Sequence, residues 1–172
     1  HPESLYKDTA DEETKTQLKA EYQKKSRDNA RTPMQWDASP HGGFTTAGAT
    51  PWMRVNDNYK TVNAASQTSD PRSVYHTWRR VLEQRKAHKD VFVYGDFALV
   101  DEASDKVFAY ERRATANGDA ALIVCNFSDG DEAWKWEGKA REVLVSSAGK
   151  EVKDVNGGEI RLGPWEAVAL LL

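Results

Sequence analysis

The sequence predicts two structural classes in one chain: an α/β part up to about residue 90, followed by an all-β part. Three observations support this division. Apolar residues recur with helical spacing over 71–89, no regular period is present over about 27–71, and short alternating segments separated by glycine and asparagine turns follow residue 90. A long loop that leads into a strong helix is typical of the end of a (β/α)8 barrel. Short strands with tight turns indicate an antiparallel β-sandwich.

The first predicted element is a helix over residues 9–26, which is followed by the long loop. Thr9 and Glu12 have the spacing of a capping box, and the helix carries only a narrow apolar stripe on an otherwise charged surface. The loop over about 27–71 is rich in Pro, Gly, Asn, Asp and Thr, with aromatic residues interspersed. Because its aromatic residues need burial, we expect this loop to be ordered and to carry function.

The strongest predicted helix covers residues 71–89. Asp70 is placed to cap it, and Pro71 suits the first turn. One face of this helix carries Val74, Tyr75, Trp78, Val81, Leu82 and Arg85. We expect this face to be buried in a complete barrel and exposed without one.

The second half of the chain is predicted to be strands and turns. The predicted strands are Val91–Tyr94, Phe97–Val100, Lys106–Arg112, Ala120–Phe127, Ala133–Trp136, Glu142–Ser146 and Trp165–Leu171. Turns are predicted at Gly95–Asp96, at Asn117–Gly118 and at Asn156–Gly158.

Composition and charge exclude several classes of function. A formal net charge of −3 indicates no nucleic-acid footprint, and no segment approaches the roughly 20 apolar residues of a membrane helix. The four histidines, at positions 1, 41, 76 and 88, have no metal-ligand spacing, so we expect neither a metal nor a cofactor. The single cysteine, Cys125, excludes an internal disulfide and suits a reducing compartment, from which we expect a cytoplasmic location.

The segment from Ser26 to Asp37, SRDNARTPMQWD, closely resembles a signature of glycoside hydrolase family 13 α-glucosidases and oligo-1,6-glucosidases. The resemblance continues through Gly43-Phe44-Thr45, Pro51-Trp52, Val55-Asn56 and Asn58-Tyr59, then through Asp70–Lys89 and Leu122–Ser128. It covers essentially the whole chain and is greatest for the fungal and yeast maltase or isomaltase type. It implies that residues 1–90 are the C-terminal end of the catalytic (β/α)8 barrel, and that 91–172 are the β-sandwich C-terminal domain.

The resemblance also implies where the chemistry lies. Family members are retaining hydrolases that use a nucleophile and a general acid/base carboxylate about 5–5.5 Å apart. These residues, and a third aspartate, lie on earlier barrel strands, so we expect them upstream of His1. We therefore assign no catalytic residue to this chain and expect the isolated fragment to be inactive.

The family's substrate pocket implies roles for a few residues of the loop. The arginine that matches Arg31 binds the non-reducing glucose, and its guanidinium can grip adjacent hydroxyls or pair with a carboxylate that does so. From the motif we also expect Asp28, Gln35 and Phe44 to line the pocket. Without the motif, a structural arginine that ties the loop to the barrel is the favoured interpretation of Arg31; with the motif, substrate binding is favoured.

Three functions follow from these observations. The first is an exo-acting α-glucosidase that hydrolyses maltose- or isomaltose-type oligosaccharides, with transglycosylation or sucrose isomerisation open on the same scaffold. The second is a non-catalytic relative that resembles the heavy chains of amino-acid transporters. The third is a carbohydrate-binding β-sandwich, for which Trp134 and Trp136 are the candidate sugar-stacking surface.

Overall fold

The computed structural model describes residues 11–25, 27–116 and 118–172, and of Asn29 only the backbone. Thr9 of the predicted capping box, Ser26 of the motif and Asn117 of a predicted turn lie outside the described residues. The chain divides into two compact units, the first ending at Ser69 and the second running from Asp70 to Leu172. Each unit is described by itself.

The first unit contains the predicted N-terminal helix and the long loop. Helix α1 spans Glu12–Lys25, and the Asp11 carboxylate caps it by accepting a 2.7 Å hydrogen bond from the amide of Thr14. No residue of α1 is buried. The loop contains 3₁₀ turns at Asp28–Ala30, Pro40–Gly43 and Asp57–Lys60 and ends in a short helix, α2, at Ala64–Ser69.

The second unit begins with the predicted strong helix, which starts later than the sequence indicates. Helix α3 spans Val74–Ala87, and Ser73 caps it by accepting a 3.3 Å hydrogen bond from the amide of His76. Asp70, the predicted cap, instead accepts a 2.9 Å bond from the amide of Arg72. The Asp70 prediction was wrong because its carboxylate closes a turn before the helix.

The predicted strand at Val91–Tyr94 was also wrong. Residues Lys89–Phe92 form the short helix α4, in which the carbonyl of His88 accepts hydrogen bonds from the amides of Val91 and Phe92 at 3.1 and 2.9 Å. Val91 is buried. A short apolar run has the same appearance in a buried strand and in a buried helical turn, so periodicity alone did not separate them.

Among its described residues, the second unit is completed by seven antiparallel strands, which confirms the predicted all-β architecture. They are β1 Asp96–Leu99, β2 Val107–Arg113, β3 Ala120–Asn126, β4 Glu132–Trp136, β5 Glu142–Ser146, β6 Gly158–Leu162 and β7 Ala167–Leu171. One sheet has the order β1-β2-β3-β7-β5, and β4 pairs with β6 in a second sheet. Strand β6 and the short helix α5, Val152–Val155, were not predicted.

The core of the second unit joins one face of the larger sheet to the smaller sheet. Its buried apolar residues are Val107, Ala109, Leu122, Val124, Trp134, Ala140, Val155, Ile160, Leu162, Val168 and Leu170. Alternating side-chain direction along β2, β3 and β7 places the larger sheet's members of this cluster on one of its faces. The opposite face of the larger sheet carries Phe97 and Phe108, which remain 55% and 40% exposed.

Candidate functional site

The candidate site residues lie in the loop between α1 and α2. Arg31 follows the 3₁₀ turn at Asp28–Ala30, and its amide closes that turn with a 3.0 Å hydrogen bond to the carbonyl of Asp28. The Arg31 side chain is exposed, and its guanidinium makes no hydrogen bond or ion pair with any residue that the structure describes. Asp28 is half-buried beside it.

Gln35 ties the loop together through its side chain. The amide nitrogen of Gln35 donates to the side-chain oxygen of Asn58 at 3.2 Å and to the carbonyl of Val62. The carbonyl of Gln35 accepts a 2.9 Å hydrogen bond from the amide of Ala64. One polar group predicted to line the pocket is therefore engaged within the loop itself.

The 3₁₀ turn at Pro40–Gly43 has an unusual backbone. Three consecutive residues, His41, Gly42 and Gly43, have left-handed φ angles of 58°, 64° and 65°. The carbonyl of Gly42 accepts hydrogen bonds from the amides of Trp36 and Asp37 at 2.7 and 3.2 Å. Because a β-carbon disfavours this conformation, two glycines occupy it together with a single histidine.

The carboxylate of Asp37 lies directly against this turn. It accepts a 2.8 Å hydrogen bond from the amide of Ser39 and a second bond from the Ser39 hydroxyl. These bonds, that of the hydroxyl first, hold the pKa of Asp37 below its usual range because they favour the charged form. A β-carbon added at Gly43 would lie 2.7 Å from each carboxylate oxygen of Asp37.

Phe44 follows the turn and keeps its ring accessible. Its amide donates to the carbonyl of His41 at 3.2 Å, and its side chain is 46% exposed. A ring nitrogen of His41 lies 3.2 Å from the carbonyl oxygen of Ala47, which connects the two sides of this part of the loop.

A shallow cavity of about 350 Å³ is lined by Asp28, Thr32, Met53, Arg54, Asn56 and Asp57. The amide nitrogen of Asn56 lies 3.4 Å from the Thr32 hydroxyl, and Arg54 pairs with Asp57. Asp28 is the only predicted site residue that lines it. The other residues that line the cavity could not be predicted from sequence spacing, because they come from distant parts of the loop. Thr32 and Asn56, for example, are 24 positions apart.

Two other features were not found among the described residues, a metal-binding cluster and a membrane-spanning helix. The described residues contain no group of three or more His, Cys, Asp or Glu side chains arranged to hold a metal ion. None of the helices described is both long and apolar enough to cross a bilayer.

In this chain a unit of helices and a long loop precedes a unit that is mainly antiparallel β-strands. The α-amylase catalytic-domain family matches residues 4–95, and the α-amylase C-terminal all-β domain family matches residues 97–171. The chain belongs to the α-amylase family. These matches meet near residue 96, whereas the compact units of the structure meet at Ser69. The predicted boundary at residue 90 stays a prediction.

Curated relatives refine this assignment. The chain is 49% identical over 105 residues to an α-glucosidase of Schizosaccharomyces pombe, a match that covers 61% of this chain and 18% of that protein. It is 36% identical over 171 residues to an oligo-1,6-glucosidase of Parageobacillus thermoglucosidasius, covering 95% of this chain and 29% of that protein. The chain thus spans less than a third of the length of these relatives.

Solved structures agree with the family. The trehalulose synthase MutB from Pseudomonas mesoacidophila MX-45 matches with a TM-score of 0.76 and 34% identity. The match covers 85% of this chain and 26% of the synthase.

Proposed function

We propose that the chain is the C-terminal part of an exo-acting, retaining α-glucosidase, in which Arg31 binds the terminal glucose of maltose- or isomaltose-type oligosaccharides. The curated relatives support the reaction class, since they carry the names α-glucosidase and oligo-1,6-glucosidase. The catalytic carboxylates belong to earlier barrel strands, and the fragment alone is inactive.

One observation carries the role of Arg31. The chain after Arg31 is held by Asn56 at Thr32 and by Asn58 and Ala64 at Gln35, and the Arg31 amide donates to the carbonyl of Asp28, while the Arg31 guanidinium has no partner among the described residues. A guanidinium presents five donors in a planar fork, which can bind adjacent sugar hydroxyls or a carboxylate that does so. A fixed backbone holds such a group in one place, which is what a sugar-binding residue requires.

The partner of the second unit in this proposal is the rest of its own catalytic barrel. Along one face of α3, Val74, Trp78 and Leu82 are 66%, 63% and 55% exposed. Contiguous apolar exposure on a helix marks a surface that is covered in the complete protein. The preceding barrel elements are the proposed cover.

The test is hydrolysis of a chromogenic α-glucoside by the full-length protein and its Arg31→Ala and Arg31→Lys variants. We expect kcat/KM to fall at least about a hundredfold in Arg31→Ala, since an unpaired sugar hydroxyl in a closed pocket costs about 3 kcal/mol. Lysine restores the charge without the planar fork, so Arg31→Lys recovers only part of the loss.

Arg161→Ala is the matched control, because Arg161 is an exposed arginine on β6 whose partner among the described residues is Glu159. Its activity should equal that of the parent. A folded parent inactive on every α-glucoside would favour the non-catalytic scaffold instead. Parallel assays on maltose and isomaltose decide the preferred linkage.

The carbohydrate-binding alternative finds no support in the two tryptophans that motivated it. Trp134 is buried, and its indole nitrogen donates to the Asp101 carboxylate at 2.9 Å. Trp136 packs against the core. Trp134 therefore offers no free face for stacking on sugar, and Trp136 is half-buried.

We further propose a fungal source and a cytoplasmic location. The identity of 49% to the Schizosaccharomyces pombe enzyme supports the source, although a bacterial oligo-1,6-glucosidase reaches 46% over 110 residues. The single Cys125, whose thiol pKa is raised by burial, supports a reducing compartment.

A further inference from the structure

We infer that Asp37 and Gly43 form a positioning lock, in which a left-handed turn seated on a carboxylate fixes the segment that presents Arg31. Neither residue is assigned a contact with sugar. The inference rests on the proposed function of Arg31 for its effect on catalysis, whereas the lock itself depends only on the geometry of residues 35–43.

The lock has two contacts. On the backbone side, the carbonyl of Gly42 accepts the amides of Trp36 and Asp37 at 2.7 and 3.2 Å. The second contact involves the Asp37 side chain. Its carboxylate accepts hydrogen bonds from the amide of Ser39, at 2.8 Å, and from the Ser39 hydroxyl, and these bonds orient it toward the Pro40–Gly43 turn. The Pro40–Gly43 turn and the residues Trp36 and Asp37 therefore stabilise each other's positions.

Gly43 is the residue on which this fit depends. A β-carbon there would lie 2.7 Å from both oxygens of Asp37 and 2.8 Å from its carboxyl carbon, and φ at Gly43 is 65°. A side chain would thus meet a steric clash and an unfavourable backbone conformation at once. The strained residue of the turn is His41, which has a φ of 58° although it is not a glycine. Strained backbone of this kind is concentrated where a protein must hold a functional group in one place.

The turn is also packed from behind. Gly42 is buried, and an added β-carbon would lie 3.4 Å from the α-carbon of Gln35 and 3.5 Å from Val55 and Tyr59 side-chain atoms. Gln35 therefore lies between the turn on one side and Asn58 on the other, and these two contacts together fix the chain that leads back to Arg31. A shift of about 1 Å in a binding group is enough to lower activity by about a hundredfold.

The experiment compares Gly43→Ala with Gly48→Ala in the full-length protein. Gly48 lies in the same loop, but nothing stands within 4 Å of its added β-carbon and its φ is not left-handed. The first measurement is hydrogen exchange of the Trp36 and Asp37 amides, which does not depend on substrate. The second is kcat and KM on a chromogenic α-glucoside.

In Gly43→Ala we expect faster exchange at both amides, a KM raised about tenfold or more and a lowered kcat. Gly48→Ala should match the parent in both measurements. Partial unfolding would lower the apparent kcat and leave KM unchanged, so a raised KM separates positioning from stability. Equal exchange in the two variants, or faster exchange with unchanged KM, overturns the inference.

Asp37→Ala provides a second route if Gly43→Ala does not fold. It removes the acceptor without adding bulk, and we expect it to raise exchange at the same amides and to raise KM. Because the carboxylate is then absent, adding Gly43→Ala to Asp37→Ala should have a smaller effect than Gly43→Ala in the parent. Strictly additive effects overturn the direct contact between the two residues.

The two proposals fail in different ways. If Arg31→Ala leaves KM unchanged, the binding role of Arg31 fails, and the exchange comparison still decides the lock. If Arg31→Ala raises KM and Gly43→Ala does not, the binding role stands and the positioning role fails.

Discussion

The two units of the chain are ordered by different forces. Among the described residues of the first unit, only Pro33, Gly42 and Asn63 are buried, and none of them is a large apolar residue. The second unit buries a continuous apolar cluster that includes Leu122, Ile160 and Leu170, all at 0% exposure. The first unit thus depends on hydrogen bonds among its own turns, and the second on removal of apolar surface from water.

This contrast assigns different roles to the two kinds of interaction. Hydrogen bonds are directional, so they fix a binding loop in one geometry, but each contributes only about 1 kcal/mol net. Apolar burial is non-directional and contributes much more per residue, so it supplies stability without aiming a particular group. A binding loop ordered by hydrogen bonds therefore needs a scaffold that is stabilised by apolar burial.

The largest effect should come from the core of the second unit. Leu122→Ala removes a side chain with no exposure, and we expect the free energy of unfolding to fall by about 2–5 kcal/mol in urea denaturation. Leu82→Ala is the matched control, because Leu82 is 55% exposed on α3, and in this chain it should change stability by about 0.5 kcal/mol or less.

The same Leu82 variant sharpens the comparison in the full-length protein. There the preceding barrel elements would cover α3, so the loss should rise toward that of a buried leucine. An equally small loss in both proteins would contradict the proposed docking of α3.

A smaller, local effect should follow from Asn63→Ala in the first unit. Asn63 is buried, donates to the carbonyl of Tyr59 at 2.8 Å and accepts from the amide of Ser66 at 2.8 Å. Its loss leaves two backbone groups unpaired, which costs about 1–3 kcal/mol. We expect hydrogen exchange to quicken in residues 59–66 and to stay unchanged in β3; equal acceleration in β3 would show that the units unfold together.

The smallest effect should be the loss of hydrogen-exchange protection around Asp37 and Gly43 at low pH. Because hydrogen bonds lower the pKa of Asp37 in the folded state, its contribution to stability is present above the unfolded pKa of about 4 and is lost as the pH falls through the folded value. Exchange-detected protection at Trp36 should therefore weaken below about pH 4. Asp37→Asn, which does not titrate, should show no such step, and a step that persists in this variant would assign it to another group.

Much of the second unit could be predicted from local pattern. Alternation located β2, which the structure places at Val107–Arg113, and an apolar run after a predicted turn located β3, at Ala120–Asn126. Helical spacing located α3. These predictions succeeded because a strand or helix with one buried face repeats its apolar residues at its own period. The missed strand β6 lies directly after a predicted turn, and its partner, β4, is more than twenty residues away.

The sequence by itself determined the family, through the motif at Ser26–Asp37, and the presence of a long loop with little regular structure between two helices. Only the tertiary structure decided that Val91 lies in a helical turn, that Gln35 ties the loop together and that Gly43 is seated on Asp37. The physical reason is the range of the interactions. Periodicity and motifs depend on residues that are close in sequence. The partner of a polar side chain and the space beside a glycine depend on which distant residues the fold brings next to them.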